Sequence, residues 1–312
     1  MNRFIRTDSQ SPRDFNSSFK GRSLSIGPGS TDDHHGPISM HSQIYTPSTA
    51  ASREKKAIIL LHGYFGMHSH WKDFPQELAT RIGTVVHTPD LRNHGKSPWG
   101  LRMTHDDFSA DLERYIKEHQ LDQAFVVGHS VGGSAVMHGC LCPNSGLSSM
   151  ISGLFMVDIG PKPIPRIPKI DTYFHLCRLV REYKPKSFKD ADDFLAHYVD
   201  KPYIREHILH ACLWSEKDRA FIPGFDIEAA EAYCRDVFDF PMTHHTHRVY
   251  EGRVHFFMGD SSPLVDSLTE EEVKPYMTNM SISRVAGGHS VHCQQPEEFL
   301  RQVQEVYEEA TA

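Results

Sequence analysis

The chain lacks any apolar run long enough to cross a bilayer. Its longest uninterrupted apolar stretches, Ala57 to Leu61 and Leu154 to Val157, fall far short of the ~20 residues a spanning helix needs and suit buried parallel strands. It also lacks positive charge: 33 Lys and Arg stand against 40 Asp and Glu, a net charge of -7. That balance argues against a nucleic-acid partner, whose phosphate backbone calls for a basic surface. Cysteine is sparse as well. The six (Cys140, Cys142, Cys177, Cys212, Cys234, Cys293) form no Cys-x-x-Cys pair and follow no secretory apolar segment, so they read as reduced, mostly buried thiols and not as a disulfide framework. The apolar and charged fractions, 39% and 23% of 312 residues, are those of an ordinary globular protein with a large core.

Histidine is what the chain has in excess, with 22 residues. His244-His245-Thr246-His247 invites a metal reading, but no second ligand group lies at zinc spacing, so the cluster is expected to be a solvated loop. No metal or other cofactor is called for.

Residues 1–37 are rich in Ser, Gly, Asp and Arg without an apolar period, the composition of a disordered leader. Arg3, Arg6, Arg13, Lys20 and Arg22 outnumber Asp8 and Asp14 there, which leans toward an organelle transit peptide; a plain floppy tail and a cytoplasmic protein form the alternative. From Ile38 strand and helix signals alternate, the signature of an α/β domain with a mostly parallel sheet flanked by helices. Strands are expected at Ser39 to Tyr45, Ala57 to Leu61, Thr84 to Thr88, Ala124 to Val127, Leu154 to Val157, Arg253 to Met258 and Ser281 to Val285. Trp71 to Arg81, Phe108 to His119, Gly133 to Leu141 and Pro296 to Glu309 read as helices. Residues 161–246 hold helical stretches and no convincing strand. They are expected to form a helical cap inserted after the strand ending at Asp158, over the sheet edge where open α/β sheets bind ligands; the core is then 38–160 with 247–312.

Gly128-His129-Ser130-Val131-Gly132 fits the Gly-x-Ser-x-Gly nucleophile elbow, and it lies between a strand signal and a helix signal, where that motif must lie. A serine nucleophile needs a base, and the base needs an acid, in the chain order Ser, Asp or Glu, His. His289 follows the last strand through Ala286-Gly287-Gly288, a turn flexible enough to present an imidazole; His292 reads as structural. Two acids compete. Asp158 stands at a strand end before the rigid Ile159-Gly160-Pro161, while Asp260 follows Gly259 directly, and the Gly-x-x-Asp slot counted from Gly259 is held by Ser262. Spacing favours Asp158, with Asp260 the alternative. The oxyanion needs two backbone N–H donors: Val131, after the nucleophile, and Tyr64 in His62-Gly63-Tyr64-Phe65-Gly66, with Phe65 the alternative. His62, Arg92, Asn93, His94 and His129 are expected to support these loops, Arg92, Asn93 and His94 by a hydrogen-bond network bracing the oxyanion loop.

The set HGYFG at 62–66, DLRNHGKS at 90–97, GHSVGG at 128–133, VDIGP at 157–161 and GGHSVH at 287–292 resembles the α/β-hydrolase branch of YbfF-type esterases, abhydrolase domain-containing protein 11 and yeast mitochondrial alcohol acetyltransferases. Tyr203 to Leu209 is similar to that branch's cap segment. The resemblance implies an α/β-hydrolase fold with the acid after the sixth strand, here Asp158, beside Ser130 and His289. It implies a serine esterase or thioesterase for short to medium acyl groups, with a small-molecule acyl ester or thioester as partner, and supports a mitochondrial setting. Passing the acyl group to an alcohol is the alternative, and a non-catalytic ligand-binding homologue a third. The branch commonly has Leu at position 64 and Met at position 131.

Overall fold

The computed structural model describes residues 36–47, 55–164, 170–240, 248–262 and 268–312. The expected leader up to residue 35 and the His244–His247 cluster lie outside them.

The sheet is built from β1 (Ser42–Tyr45), β2 (Ile58–Leu61), β3 (Val86–Pro89), β4 (Ala124–His129), β5 (Ile151–Val157), and, after a two-stranded ribbon of β6 (Cys212–Ser215) and β7 (Ala220–Pro223), β8 (Arg253–Gly259) and β9 (Met280–Val285). The seven strands of the main sheet are ordered β1-β3-β2-β4-β5-β8-β9. β1 pairs antiparallel with β3, and every other neighbouring pair is parallel. Each central strand is buried on both faces. Ile58, Leu60, Phe125, Val127, Phe155, Val157 and Phe257 belong to one cluster, which also takes in residues of α1 (Phe74–Ile82) and of the C-terminal helix Pro296–Thr311. The alternating residues Ile59, Leu61, Val126, Leu154 and Met156 are equally enclosed. Two covered faces are why these strands read as continuous apolar runs in the sequence.

Between β3 and β5 the chain forms α2 (His105–Glu118) and α3 (Val131–Leu141). Thr104 and Asp107 close a capping box at the start of α2, satisfying amides that a helix start leaves without partners. Among the described residues, no helix is long and apolar enough to cross a membrane.

The stretch expected to be all helix differs. It holds helices Ile170–Tyr183, Phe188–Leu195, Pro202–His210, Ile227–Ala232 and Cys234–Phe238, but also the antiparallel β6–β7 hairpin. Ile208, Leu209 and Leu213 continue a helical spacing, which hid the strand. The chain turns instead because Ser215 Oγ accepts from Asp218 N–H at 3.1 Å and donates to its carboxylate at 2.9 Å, and Arg219 takes a φ of 50°. Tyr173–Pro223 forms a compact unit of its own; Gly224–Ala312 belongs with the sheet. Within the smaller unit Tyr183 and Phe194 stack at 3.9 Å, and Arg205 binds Asp192 at 2.7 Å.

Phe299 packs its ring against Trp71, Phe74, Phe155 and Phe257. Truncating such a ring leaves a cavity that rigid neighbours fill only in part. Phe299→Ala should therefore destabilise the protein by ~3–5 kcal/mol, read as a shift in the denaturant midpoint at unchanged slope.

Candidate active site

Ser130 sits between β4 and α3 with φ 52° and ψ −122°, a backbone state that disfavours a side chain by ~1–3 kcal/mol. The turn closes only because its flanks lack side chains. A Cβ on Gly128 would lie 2.5 Å from Gly133 Cα, and one on Gly132 would lie 2.6 Å from the carbonyl oxygens of both Leu61 and His62. The second approach also shows that the loop leaving β2 rests directly on the start of α3.

Asp158 follows β5 immediately, as Ser130 follows β4, and it too has a positive φ, 50°. Ser130 N–H donates to Val157 O, and Asp158 N–H donates to Phe257 O, so adjacent strands fix both turns. The Asp158 side chain is fully buried. Its Oδ1 accepts from Gly259 N–H at 3.0 Å, and its Oδ2 accepts from His289 Nδ1 at 2.7 Å and from the Ser262 hydroxyl at 2.5 Å. Because a carboxylate can only accept, His289 must carry its proton on Nδ1 when neutral, which leaves Nε2 with a lone pair. Among the described residues no hydrogen bond joins Ser130 Oγ to His289, whose Nδ1 is held by Asp158.

The loop that carries His289 is held from several sides. Gly287 N–H donates to Asp260 at 3.1 Å, Gly288 N–H to Gln294 at 2.7 Å, and Ser261 Oγ to Gly287 O at 2.8 Å. Asp260 is exposed and touches the loop's backbone, while Asp158 touches the imidazole. Ser262 was visible in the sequence only as the residue filling an expected acid's slot. Its hydroxyl in fact reaches the acid on the neighbouring strand, and Gln294 carried no sequence signal.

Histidines pack behind this arrangement. His129 Nε2 lies 3.0 Å from His289 O, and its ring is 4.7 Å from those of both His289 and His292. Burial, reinforced by His292 and His289, pushes the His129 pKa well below its usual value. The neutral ring therefore donates its Nε2 proton to the His289 carbonyl. Burial pushes His292 down to about 3, as it does His62. His62 Nε2 accepts from Leu91 N–H at 3.0 Å, so its Nδ1 donates to Gly63 O at 2.8 Å. That bond stiffens the loop holding Tyr64.

Of the bracing residues, His94 reaches the oxyanion loop: Nε2 faces Tyr64 O while Nδ1 lies 2.8 Å from Arg92 O. Asn93, with φ 63°, bonds through its side chain to both backbone groups of Leu101. The Arg92 backbone reaches this network through His94, while its side chain bonds elsewhere. Its buried guanidinium makes paired 2.7 Å bonds to Asp111 and reaches Arg102 O, because a charge with 1% exposure needs a carboxylate. Among the described residues, no backbone acceptor takes the amides of Tyr64 or Val131.

Among the described residues, two donor sets could approach a metal ion, His41–His68–Asp90 and Asp106–His138–Cys142. Asp90 is already engaged by the His68 and Lys96 amides at 2.7 and 3.0 Å. Burial alone would raise its pKa, but hydrogen bonds from His41 and His68 override that and hold it well below the carboxylate range. His138 and Asp106 form a 2.7 Å pair.

A parallel sheet whose strand ends gather a strained serine, a buried acid and a histidine defines a hydrolase scaffold, and residues 58–302 match the alpha/beta hydrolase family; the chain belongs to it. Among its relatives, it is 28% identical over 251 residues to the sn-1-specific diacylglycerol lipase ABHD11 of Xenopus laevis, covering 79% of this chain and 78% of that one. It is 23% identical over 292 residues to ethanol acetyltransferase 1 of Wickerhamomyces anomalus, covering 86% and 73%. In fold it is similar to a marine microorganism esterase, with a TM-score of 0.72 and 23% identity over 86% of this chain and 99% of that one.

The buried histidines carry a pH dependence. Burial lowers His62 and His292 to about 3, and His87 and His255 to about 4, while the unfolded value is ~6.5. The unfolded chain then binds more protons below pH ~6.5, so stability is complete above that pH and declines as pH falls toward 4, by up to about 2 kcal/mol per histidine at pH 5. Guanidinium midpoints at pH 7.5 and pH 5 should differ accordingly, and His292→Leu should narrow the gap; an unchanged gap would rule His292 out as a contributor.

Proposed function

We propose that the chain is a serine hydrolase that cleaves carboxylic esters or thioesters of short to medium acyl groups through a Ser130 acyl-enzyme. The observation that carries this reading is the 2.7 Å contact of His289 Nδ1 with the buried Asp158 carboxylate, because it fixes the tautomer that a serine needs in its base. His289 Nε2 takes the Ser130 proton as Oγ adds to the substrate carbonyl. The Tyr64 and Val131 amides receive the oxyanion. The proton then passes from Nε2 to the departing alcohol or thiol, leaving the acyl group on Oγ. Water, deprotonated by the same nitrogen, adds to the acyl carbon, and as the acyl–Oγ bond breaks the proton returns from Nε2 to Ser130 Oγ and the acid leaves. Asp158 orients the imidazole throughout, itself held by Gly259 N–H and Ser262 Oγ.

Similarity to an ethanol acetyltransferase supports a second reading, in which an alcohol replaces water in the last step. Both readings share the acyl-enzyme and differ in the acceptor. With an acetate ester as donor and ethanol present, the ratio of ethyl acetate to acetate formed separates them.

Wild-type protein should be labelled covalently by a fluorophosphonate probe, and Ser130→Ala should not be. An unlabelled, folded wild type would overturn both readings. Asp158→Asn should lower kcat by ~10⁴, since the imidazole loses its tautomer control, whereas Asp260→Asn should stay within about tenfold. The opposite ranking would move the acid to Asp260.

A further inference from the structure

Tyr64 does more than present an amide. Its side chain is buried, and its hydroxyl donates to the carbonyl of Ala230 in helix Ile227–Ala232. The ring packs against Phe65 at 5.1 Å and Phe238 at 5.0 Å, with the His94 ring 6.2 Å away. Burial pushes the phenol far above its usual pKa, so the hydroxyl remains a donor at any working pH.

The segment that receives this hydroxyl is itself anchored. His94 and Phe225 form an antiparallel bridge, Gly95 N–H donates to Gly224 O at 2.6 Å, and Asp226 N–H donates to Asn93 O at 2.8 Å. Asp226 caps the helix through Ala229 N–H at 3.0 Å and accepts from Gly100 N–H at 2.9 Å. Phe225 also lies against Phe65, at 5.2 Å. Tyr64 therefore has its carbonyl facing His94 on one side and its phenol tied to a fixed helix on the other.

We propose that Tyr64 is a positioning residue: its phenol holds the oxyanion loop to the Gly224–Phe240 segment, so that segment sets where the residue 64 amide points. An oxyanion donor contributes in proportion to its preorganisation, so a loop free to shift loses rate while substrate binding is little changed. The inference rests on the serine-hydrolase reading.

The test compares wild type with Tyr64→Phe, which keeps the ring and deletes the hydroxyl. Expected are a roughly three- to thirtyfold fall in kcat, KM within about twofold, an unchanged pH profile, and a parallel loss of affinity for a trifluoromethyl ketone, whose serine adduct carries an oxyanion. Asp226→Ala loosens the same segment from its far side and should produce the same pattern. Wild type that resists fluorophosphonate labelling would sink the hydrolase reading itself. Labelled, active wild type with Tyr64→Phe unchanged in kcat and ketone affinity would overturn the tether alone. So would a variant that loses thermal stability yet keeps wild-type kcat per labelled site.

Discussion

A carboxylate sealed from water must find all its partners inside the protein, and Asp158 is that group. Three donors from three places in the chain converge on it: the end of β8, the residue Ser262 three positions on, and the imidazole after β9. Its own backbone, at positive φ, is fixed by β8 through Phe257 O, and Val157 O fixes Ser130 on the other side. Four consecutive strand ends are thus locked in register by one buried charge. The serine turn, the acid turn and the histidine loop cannot shift independently without leaving that charge short of a hydrogen bond, which is costly in a low-dielectric interior.

Buried histidines at the 62–66, 128–132 and 287–292 stretches are kept neutral. His62, His129 and His292 are buried rings whose charged forms are suppressed. As neutral rings His62 and His129 bond backbone groups of Gly63, Leu91 and His289 without adding positive charge beside His289.

Much of the sheet was legible because parallel strands buried on both faces leave continuous apolar runs, and each of the seven was expected within a few residues of where it lies. The elbow was legible because sterics leave glycine alone at positions 128 and 132. Other features were hidden for physical reasons. The β6–β7 hairpin shares apolar residues at helical spacing with the helix before it. Arg92 lies two residues from His94, which faces Tyr64 O, yet the buried Arg92 guanidinium pairs with Asp111. Ser262 is one hydroxyl among many until the neighbouring strand brings Asp158 within 2.5 Å.

By itself, then, the sequence determined the elements, the strained serine turn and the chemical types available at each strand end, because these depend on local sterics and on the period of burial. Only the tertiary structure decided which polar groups meet: that Ser262 serves Asp158, that Asp260 holds a loop's backbone, that Tyr64 reaches Ala230. Such contacts join residues far apart in the chain, and their geometry follows from the order and register of the strands, which no local pattern encodes.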